Sequence, residues 1–393
     1  MALPPFWKIR REFERLGKQT ARSVGRYVHD PIRKPVYDLT ARWRQRVTQG
    51  SLPLTDRVAV FVVFQPKGLA ASILLTLQHL RENGFSVLVV SNGPLRTEDR
   101  ATLARNAAQV LERPNVGYDF GAYRDGIRHL WSLNHDLSRL VLMNDSTWFP
   151  LRRDDDSLAR MEALGVDLAG HIFKTENEEK RGNDHVESHL LMISKDFLRS
   201  EDFRRFWASY AMSDRRSTTV RFGEKALSQL ALGSGRSVRT LMGREWLLEV
   251  LGRMDDGNLR IVLDRTIDGF GQGRNDAARF RRAASSGEPW RDDFLTWVDV
   301  SLRNSRVFLL SSSFVMPALV YGKMGFAKKA RDIRFHHARQ ELLDLEADGL
   351  IPPLDDVVRS EIAKGIRSWT PPRDQERLPL ERRSRPAPAP VHG

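Results

Sequence analysis

Cysteine is absent from the 393 residues. That absence excludes disulfides, thiolate metal sites and a cysteine nucleophile together. Long apolar runs are absent as well: the longest, Val58 to Phe64, falls far short of the roughly 20 residues that cross a bilayer. No segment reads as a membrane span. Near the N-terminus Trp7 is followed at once by Lys8, Arg10 and Arg11, so the apolar stretch and cleavage site of a secretory leader are missing too. The expected address is the cytoplasm.

Acidic charge is in deficit, with 50 Asp and Glu against 63 Lys and Arg and a net charge of +13. A polyanionic partner is expected on that ground. Residues 1–50 hold twelve basic side chains against four acidic ones, a surplus of eight. There the charge is interleaved with Phe6, Trp7, Ile9, Phe13, Leu16, Tyr27, Tyr37 and Trp43, a mixture suited to a helix in a lipid headgroup layer. The same stretch also reads as a leader that packs on the core or meets nucleic acid. Residues 1–50 are therefore set apart as a basic amphipathic leader. With 41% hydrophobic and 29% charged residues, the rest has a globular composition, long enough for about two domains.

From Arg57 onward short β-branched runs alternate with helical stretches, the pattern of a mainly parallel sheet flanked by helices. Val58–Phe64 reads as a buried strand, and Ile73, Leu74, Leu77 and Leu80 then recur at helical spacing before a strand at Ser86–Val90. A helix starting at Thr97, a short strand near Val110 and a glycine-rich loop at Asn115–Gly121 follow. Next come a helix through Trp131 and a strand, Arg139–Met143, that runs into Asn144-Asp145-Ser146. Further strands are expected at Asp167–Phe173 and Ser188–Ile193, then a helix whose Phe203, Phe206, Trp207 and Tyr210 share a face. Residues 251–300 resist assignment. Phe314–Gly325 and Arg339–Glu346 read as helices, so the expected division is a nucleotide-binding α/β core over 51–250, a smaller and mostly helical section over 251–369, and a disordered Pro- and Arg-rich tail over 370–393.

Three polar clusters fall where an open α/β sheet places ligand-contacting groups. In the first, Arg113 to Gly126, the glycines Gly117 and Gly121 let the backbone approach a ligand, and the following helix N-terminus can receive phosphate. Asn115 and Asp119 suit ribose hydroxyls, although the segment also reads as a tight turn and nothing more. The second, Leu142 to Trp148, releases Asp145 from the end of a hydrophobic strand. A carboxylate there can hold a divalent cation, Mg or Mn, against a diphosphate, or can merely form an Asx-turn. The third, Arg221 to Gln229, sets Glu224 at the expected start of a helix. The dipole there favours its ionised form, and an ionised carboxylate can take the proton of an attacking hydroxyl.

The order of these clusters resembles a GT-A glycosyltransferase, and more closely the rhamnan synthesis protein F family of bacterial polysaccharide glycosyltransferases. Asn115-Val-Gly117-Tyr-Asp119-Phe-Gly121-Ala-Tyr-Arg124-Asp125-Gly126, Leu142-Met-Asn144-Asp145-Ser146, His189 to Ser194 and Gly223-Glu224 carry the resemblance. It spans roughly residues 57–250, and Pro317 to Lys329 is similar to the family's C-terminal segment. The resemblance implies transfer of rhamnose or a related deoxysugar from a nucleotide donor, dTDP-rhamnose or similar, to a growing cell-surface polysaccharide, such as lipopolysaccharide, or a lipid-linked glycan. Asp145 would occupy the metal and diphosphate position. Asn144-Asp145-Ser146 departs from a full D-x-D, supplying one carboxylate in place of two.

The mechanism expected is direct displacement with inversion. Asn92, Arg113, Asn115, Gly117, Asp119 and Asp125 hold the nucleotide, Asp145 and its metal steady the diphosphate, and Glu224 is the base. His185, Glu187, Ser188 and His189 border the acceptor. The histidines at 185 and 189 would share one side of a strand, but a third metal ligand at sensible spacing is missing, so hydrogen bonding to the acceptor is the preferred role. The rival class is a non-catalytic sugar-nucleotide-binding or scaffold subunit of an assembly complex. Nucleic-acid binding ranks last, because most of the excess charge lies outside the core. Action at the inner face of the cell membrane, as a peripheral protein, completes the expectation.

Overall fold

A computed structural model of the chain describes residues 30–175, 184–267, 272–303 and 309–370. Its centre is a nine-stranded sheet made of β1 (Arg46–Gln49), β2 (Arg57–Val63), β3 (Ser86–Asn92), β4 (Gln109–Arg113), β5 (Arg139–Asn144), β7 (Leu168–Lys174), β8 (His185–Val186), β9 (Leu190–Ser194) and β10 (Val238–Gly243). The order is β1-β4-β3-β2-β5-β9-β7-β10, with β8 beside β7. β4, β3, β2 and β5 are mutually parallel. β9 is antiparallel to both β5 and β7, and β10 is parallel to β7, so β2, β3, β4, β5, β7 and β10 run one way while β1, β8 and β9 oppose them. The sheet is mainly parallel, as expected. A separate two-stranded ladder joins β6 (Thr147–Trp148) to β11 (Ala327–Lys328).

β2 explains why the sheet is covered on both faces. Successive strand residues point to opposite faces, and all but its first residue is buried. Ala59, Phe61 and Val63 enter one core with Ile73 and Leu77 of the helix Ala71–Glu82. Val58, Val60 and Val62 enter the other with Phe120, Tyr123 and Ile127 of the helix Tyr118–Ser132. A run without polar alternation is the signature of such a doubly covered strand.

The first of these cores continues without a break into the C-terminal helices, through Leu247, Val262, Phe294, Phe314, Leu342 and Val358. Residues 251–300, unassigned from sequence, are helical over Asp256–Arg265, Gln272–Ser286 and Arg291–Arg303. The single helix expected over Phe314–Gly325 is two short ones, Leu310–Ser313 and Val315–Val320, divided at Phe314. The segment expected as an appendage enters the fold from residue 30. The helix Asp30–Arg44 buries Tyr37, and β1 pairs antiparallel with β4 at the sheet edge. The more N-terminal part of the basic leader and the tail from 371 lie outside the described residues.

Candidate active site

The carboxyl ends of β2, β3, β4 and β5 lie side by side, because these strands are parallel neighbours. Polar groups released there face one crevice. The Asp145 amide donates to the Val62 carbonyl (3.0 Å), and its Oδ2 accepts from the Phe64 amide (2.8 Å) and Gln65 Nε2 (2.7 Å). Burial pushes the Asp145 carboxyl above its ordinary range, against those two donors and the charge of Lys329. Its neighbour Asn144 donates from Nδ2 to Asp119 Oδ2 (3.0 Å) and accepts at Oδ1 from the Ser146 amide (3.1 Å) and hydroxyl (2.5 Å).

Asp119 sits in the first turn of Tyr118–Ser132, so half of the expected glycine loop is already helix. Gly117 makes the entry with φ of +80°, its amide donating to Asp214 Oδ1 (2.8 Å). A Cβ on Gly121 would stand 2.3 Å from the Val116 carbonyl oxygen, so only glycine lets the loop close on the helix. Asp119 accepts from the Phe120 amide (2.9 Å). Burial first, and the negative charge of Glu224 second, push its carboxyl up to about 6.

Glu224 stands elsewhere than expected in its helix. The helical segment begins at Arg216, and Val220–Lys225 is a π-helical turn within it. The dipole argument for an N-terminal glutamate therefore falls, and packing takes its place. Gly223 lies on the Phe120 ring so closely that a Cβ would come within 2.6 Å. Glu224 Oε1 accepts from the Ser188 amide (3.2 Å) and lies 3.7 Å from His185 Nε2. Tyr123, fully buried, donates its hydroxyl to the Ser188 carbonyl (3.1 Å), and its pKa is raised by burial with the charges of Asp119, Glu224 and Asp145 all contributing. The charges of those three carboxylates thus reach one phenol, Tyr123, and Asp119 also binds the Asn144 amide. Tyr123 lies within the glycine-loop motif but was given no role from sequence, and Gln65 carries no motif of its own.

The other expected residues divide. Asn115 is exposed on the loop. Arg113 is fully buried behind it, donating from Nε to Asp125 Oδ2 (2.6 Å), from Nη2 to the Val116 carbonyl (2.7 Å) and from Nη1 to Asn92 Oδ1. Asp125 also accepts from Tyr37 (2.5 Å) and Gln45 (3.0 Å). Asn92 donates to the Tyr118 carbonyl (3.3 Å). Arg113, Asp125 and Asn92 thus form a bonded wall behind the loop, their side chains engaged with one another and with nearby backbone.

His185 and His189 do not share a strand: β8 ends at Val186 and β9 begins at Leu190. His185 approaches Glu224, whereas His189 is buried against His171 (Nδ1 to Nε2, 3.1 Å) and the Phe326 ring. Burial drives His171 down to about 4 and His189 well below its ordinary value, so both are neutral near pH 7. Glu187 pairs with Lys328 Nζ (2.7 Å) and lies 3.6 Å from His189 Nδ1. His185 and Ser188 thus meet Glu224, whereas Glu187 and His189 meet Lys328 and His171; all four are buried.

The donor set does not fit a divalent cation held by the protein alone. One Asp145 oxygen is taken by two protein donors. Among the described residues no group of three or more His, Asp or Glu is placed to hold a metal. A lysine, Lys329, stands near enough to Asp145 for each to shift the other's protonation.

Residues 87–235 match the family model for rhamnan synthesis protein F. The matched segment contains the glycine loop, Asp145 and Glu224, on which the resemblance rests. An uncharacterized protein of Sinorhizobium fredii, y4gN, is 29% identical over 357 residues, which is 90% of this chain and 91% of that one. Among solved structures, the mannosyltransferase Ktr4p from S. cerevisiae aligns over 47% of this chain and 68% of that one, at 10% identity and a TM-score of 0.26, a likeness too slight to bear on fold or activity.

Proposed function

We propose that the protein is a glycosyltransferase of GT-A-like architecture that moves a sugar, rhamnose or a related deoxysugar, from a nucleotide donor to a polysaccharide or lipid-linked glycan. The observation that carries this reading is the gathering of Asp119, Asp145 and Glu224 around Tyr123, with Asn144 bonded to Asp119, at the carboxyl end of the parallel strands. The family match over residues 87–235 supports the sugar class. Perturbed carboxylates in a crevice are a mark of catalytic sites.

In this reading the loop from Asn115 to Asp119 receives the nucleoside, and Asp145 lies at the diphosphate. The acceptor enters beside His185 and Ser188. Its hydroxyl oxygen attacks the anomeric carbon as the bond from that carbon to the diphosphate breaks, and the nucleoside diphosphate leaves. Glu224 takes the hydroxyl proton. The Ser188 amide fixes its Oε1, and Oε2 makes no hydrogen bond among the described residues. One displacement inverts the anomeric centre. Incubation of the purified protein with UDP-, GDP-, dTDP- and CMP-sugars and a membrane glycan extract tests the reading: acceptor-dependent release of nucleotide is expected from one donor. Binding without release would favour the scaffold subunit.

Cytoplasmic action against a membrane belongs to the same proposal. No described helix is long and apolar enough to cross a bilayer. On the helix Asp30–Arg44, Tyr37 faces the core, while Val36, Leu39 and Trp43 are 53%, 68% and 66% exposed, next to exposed Arg44 and Arg46. An apolar stripe flanked by arginine suits an anionic leaflet. Phosphatidylglycerol vesicles should sediment the protein where phosphatidylcholine vesicles do not; equal partition would remove this part of the reading.

A further inference from the structure

Lys329 reaches the crevice from the far end of the chain. β11 pairs with β6, the two residues that follow Asn144-Asp145-Ser146, and the Lys329 amide donates to the Ser146 carbonyl (2.8 Å). Arg339 clamps the backbone on either side, donating to the carbonyls of Lys328 (3.1 Å) and Ala330 (2.8 Å). The Lys329 ammonium lies 5.5 Å from the centre of the Trp148 ring. Trp148 is fixed in turn, its Nε1 donating to Glu361 Oε2 (2.8 Å), and Glu361 accepts from the amide (2.9 Å) and hydroxyl (2.7 Å) of Ser72 at the start of the helix Ala71–Glu82.

The two adjacent lysines differ in what their charges meet. Lys328 is paired with Glu187 at 2.7 Å. The Lys329 ammonium makes no hydrogen bond or ion pair within 4.0 Å among the described residues, although it feels the charges of Asp145 and Glu361. An ammonium offers three donors, and holding it half-buried without acceptors is unfavourable. Burial accordingly lowers its pKa. An anion arriving beside Asp145 would supply the missing acceptors through charge-assisted bonds.

Resting on the glycosyltransferase reading, we propose that Lys329 is the protein's own cation for the donor's diphosphate, set by β6 and β11 where a metal would otherwise stand. It steadies the diphosphate as a point charge and offsets the negative charge that develops on the leaving oxygen. The backbone clamp from Arg339 and Ser146 fixes its position before the ligand arrives.

The test is calorimetric titration of the full chain in EDTA with UDP, GDP and dTDP, and with the matching nucleosides. One diphosphate should bind without added metal, and Lys329→Met should weaken it about tenfold to a hundredfold while leaving the nucleoside unchanged. Lys329→Arg, which keeps the charge, should retain most of the affinity. In the unaltered protein the same diphosphate should shield Lys329 from reductive methylation, read by peptide mass spectrometry, which keeps the test independent of how the variants fold. Undiminished diphosphate binding by Lys329→Met, unshielded methylation, or binding that appears only with Mn²⁺ would overturn the proposal and leave the donor reading standing. Failure of every nucleoside diphosphate to bind, with or without Mn²⁺, would remove that reading as well.

Discussion

Asp119 and Asp125 lie on one helix, Tyr118–Ser132, one on the crevice side and one on the wall behind the loop, and the charges around them are opposite in kind. Asp125 is met by Arg113, Tyr37 and Gln45, with Arg124 Nη1 at 3.6 Å. Asp119 is met by amides and by the like charge of Glu224, which Arg216 offsets only in part. A buried carboxylate answered by a buried guanidinium is architecture. One held beside another carboxylate stores unfavourable charge, which a ligand or a proton can relieve. The same motif thus supplies a paired scaffold on one side and unfavourable charge on the other.

The division breaks if substitutions on the two sides have similar consequences. On the crevice side, Glu224→Gln should lower transfer by about 10²–10⁴-fold, the usual share of a positioned base, with diphosphate affinity unchanged by calorimetry. Retention of full turnover would take Glu224 out of the chemistry. On the wall side, Arg113→Met takes from Asp125 its hydrogen-bonded cation, leaving only Arg124 at 3.6 Å, and should cost about 3–5 kcal/mol in urea unfolding. The double variant Arg113→Met with Asp125→Asn should recover part of that loss. A nucleotide-binding defect in folded Arg113→Met, with no loss of stability, would return Arg113 to the crevice.

Asp119 sharpens the contrast through pH. Its carboxyl titrates near 6 in the folded chain against an ordinary 3.8, so the folded state favours the protonated form. The stability this confers is present below about pH 4 and is lost as pH rises through about 6. Wild type should therefore lose, relative to Asp119→Asn, on the order of 2 kcal/mol between pH 4 and pH 7, read from melting or urea curves at each pH. A difference between the two proteins that does not vary over that range would mean the carboxyl is not strained by its surroundings.

Much of this was legible in the sequence where the signal is local. β2 announced itself because a doubly covered strand is apolar throughout, and Asn144-Asp145-Ser146 because polar residues after such a strand fall at the crevice. The three carboxylates singled out from motif order are brought together. Long-range matters were not legible. Arg113 looked like a nucleotide ligand, since nothing near it in the chain shows that Asp125, Asn92 and the Val116 carbonyl take its donors. Lys329 gave no sign of its place, because pairing of β11 with β6 is a tertiary event. The ionised state expected of Glu224 rested on a helix start that does not hold, whereas the π-turn and the contact of Gly223 with Phe120 set its place.

The smallest effect tests how far the wall extends. Tyr37 comes from the helix Asp30–Arg44, and burial raises its hydroxyl to about 12, so it is a donor at every working pH. Tyr37→Phe removes that donor from Asp125 yet keeps the ring in its apolar setting and leaves Arg113 and Gln45 in place. The expected cost is about 1 kcal/mol in urea unfolding, the ordinary net worth of one hydrogen bond, with no change in nucleotide affinity. A drop in affinity without loss of stability would show that the docked helix bears on the crevice through Asp125, and the boundary between scaffold and site would then move to include it.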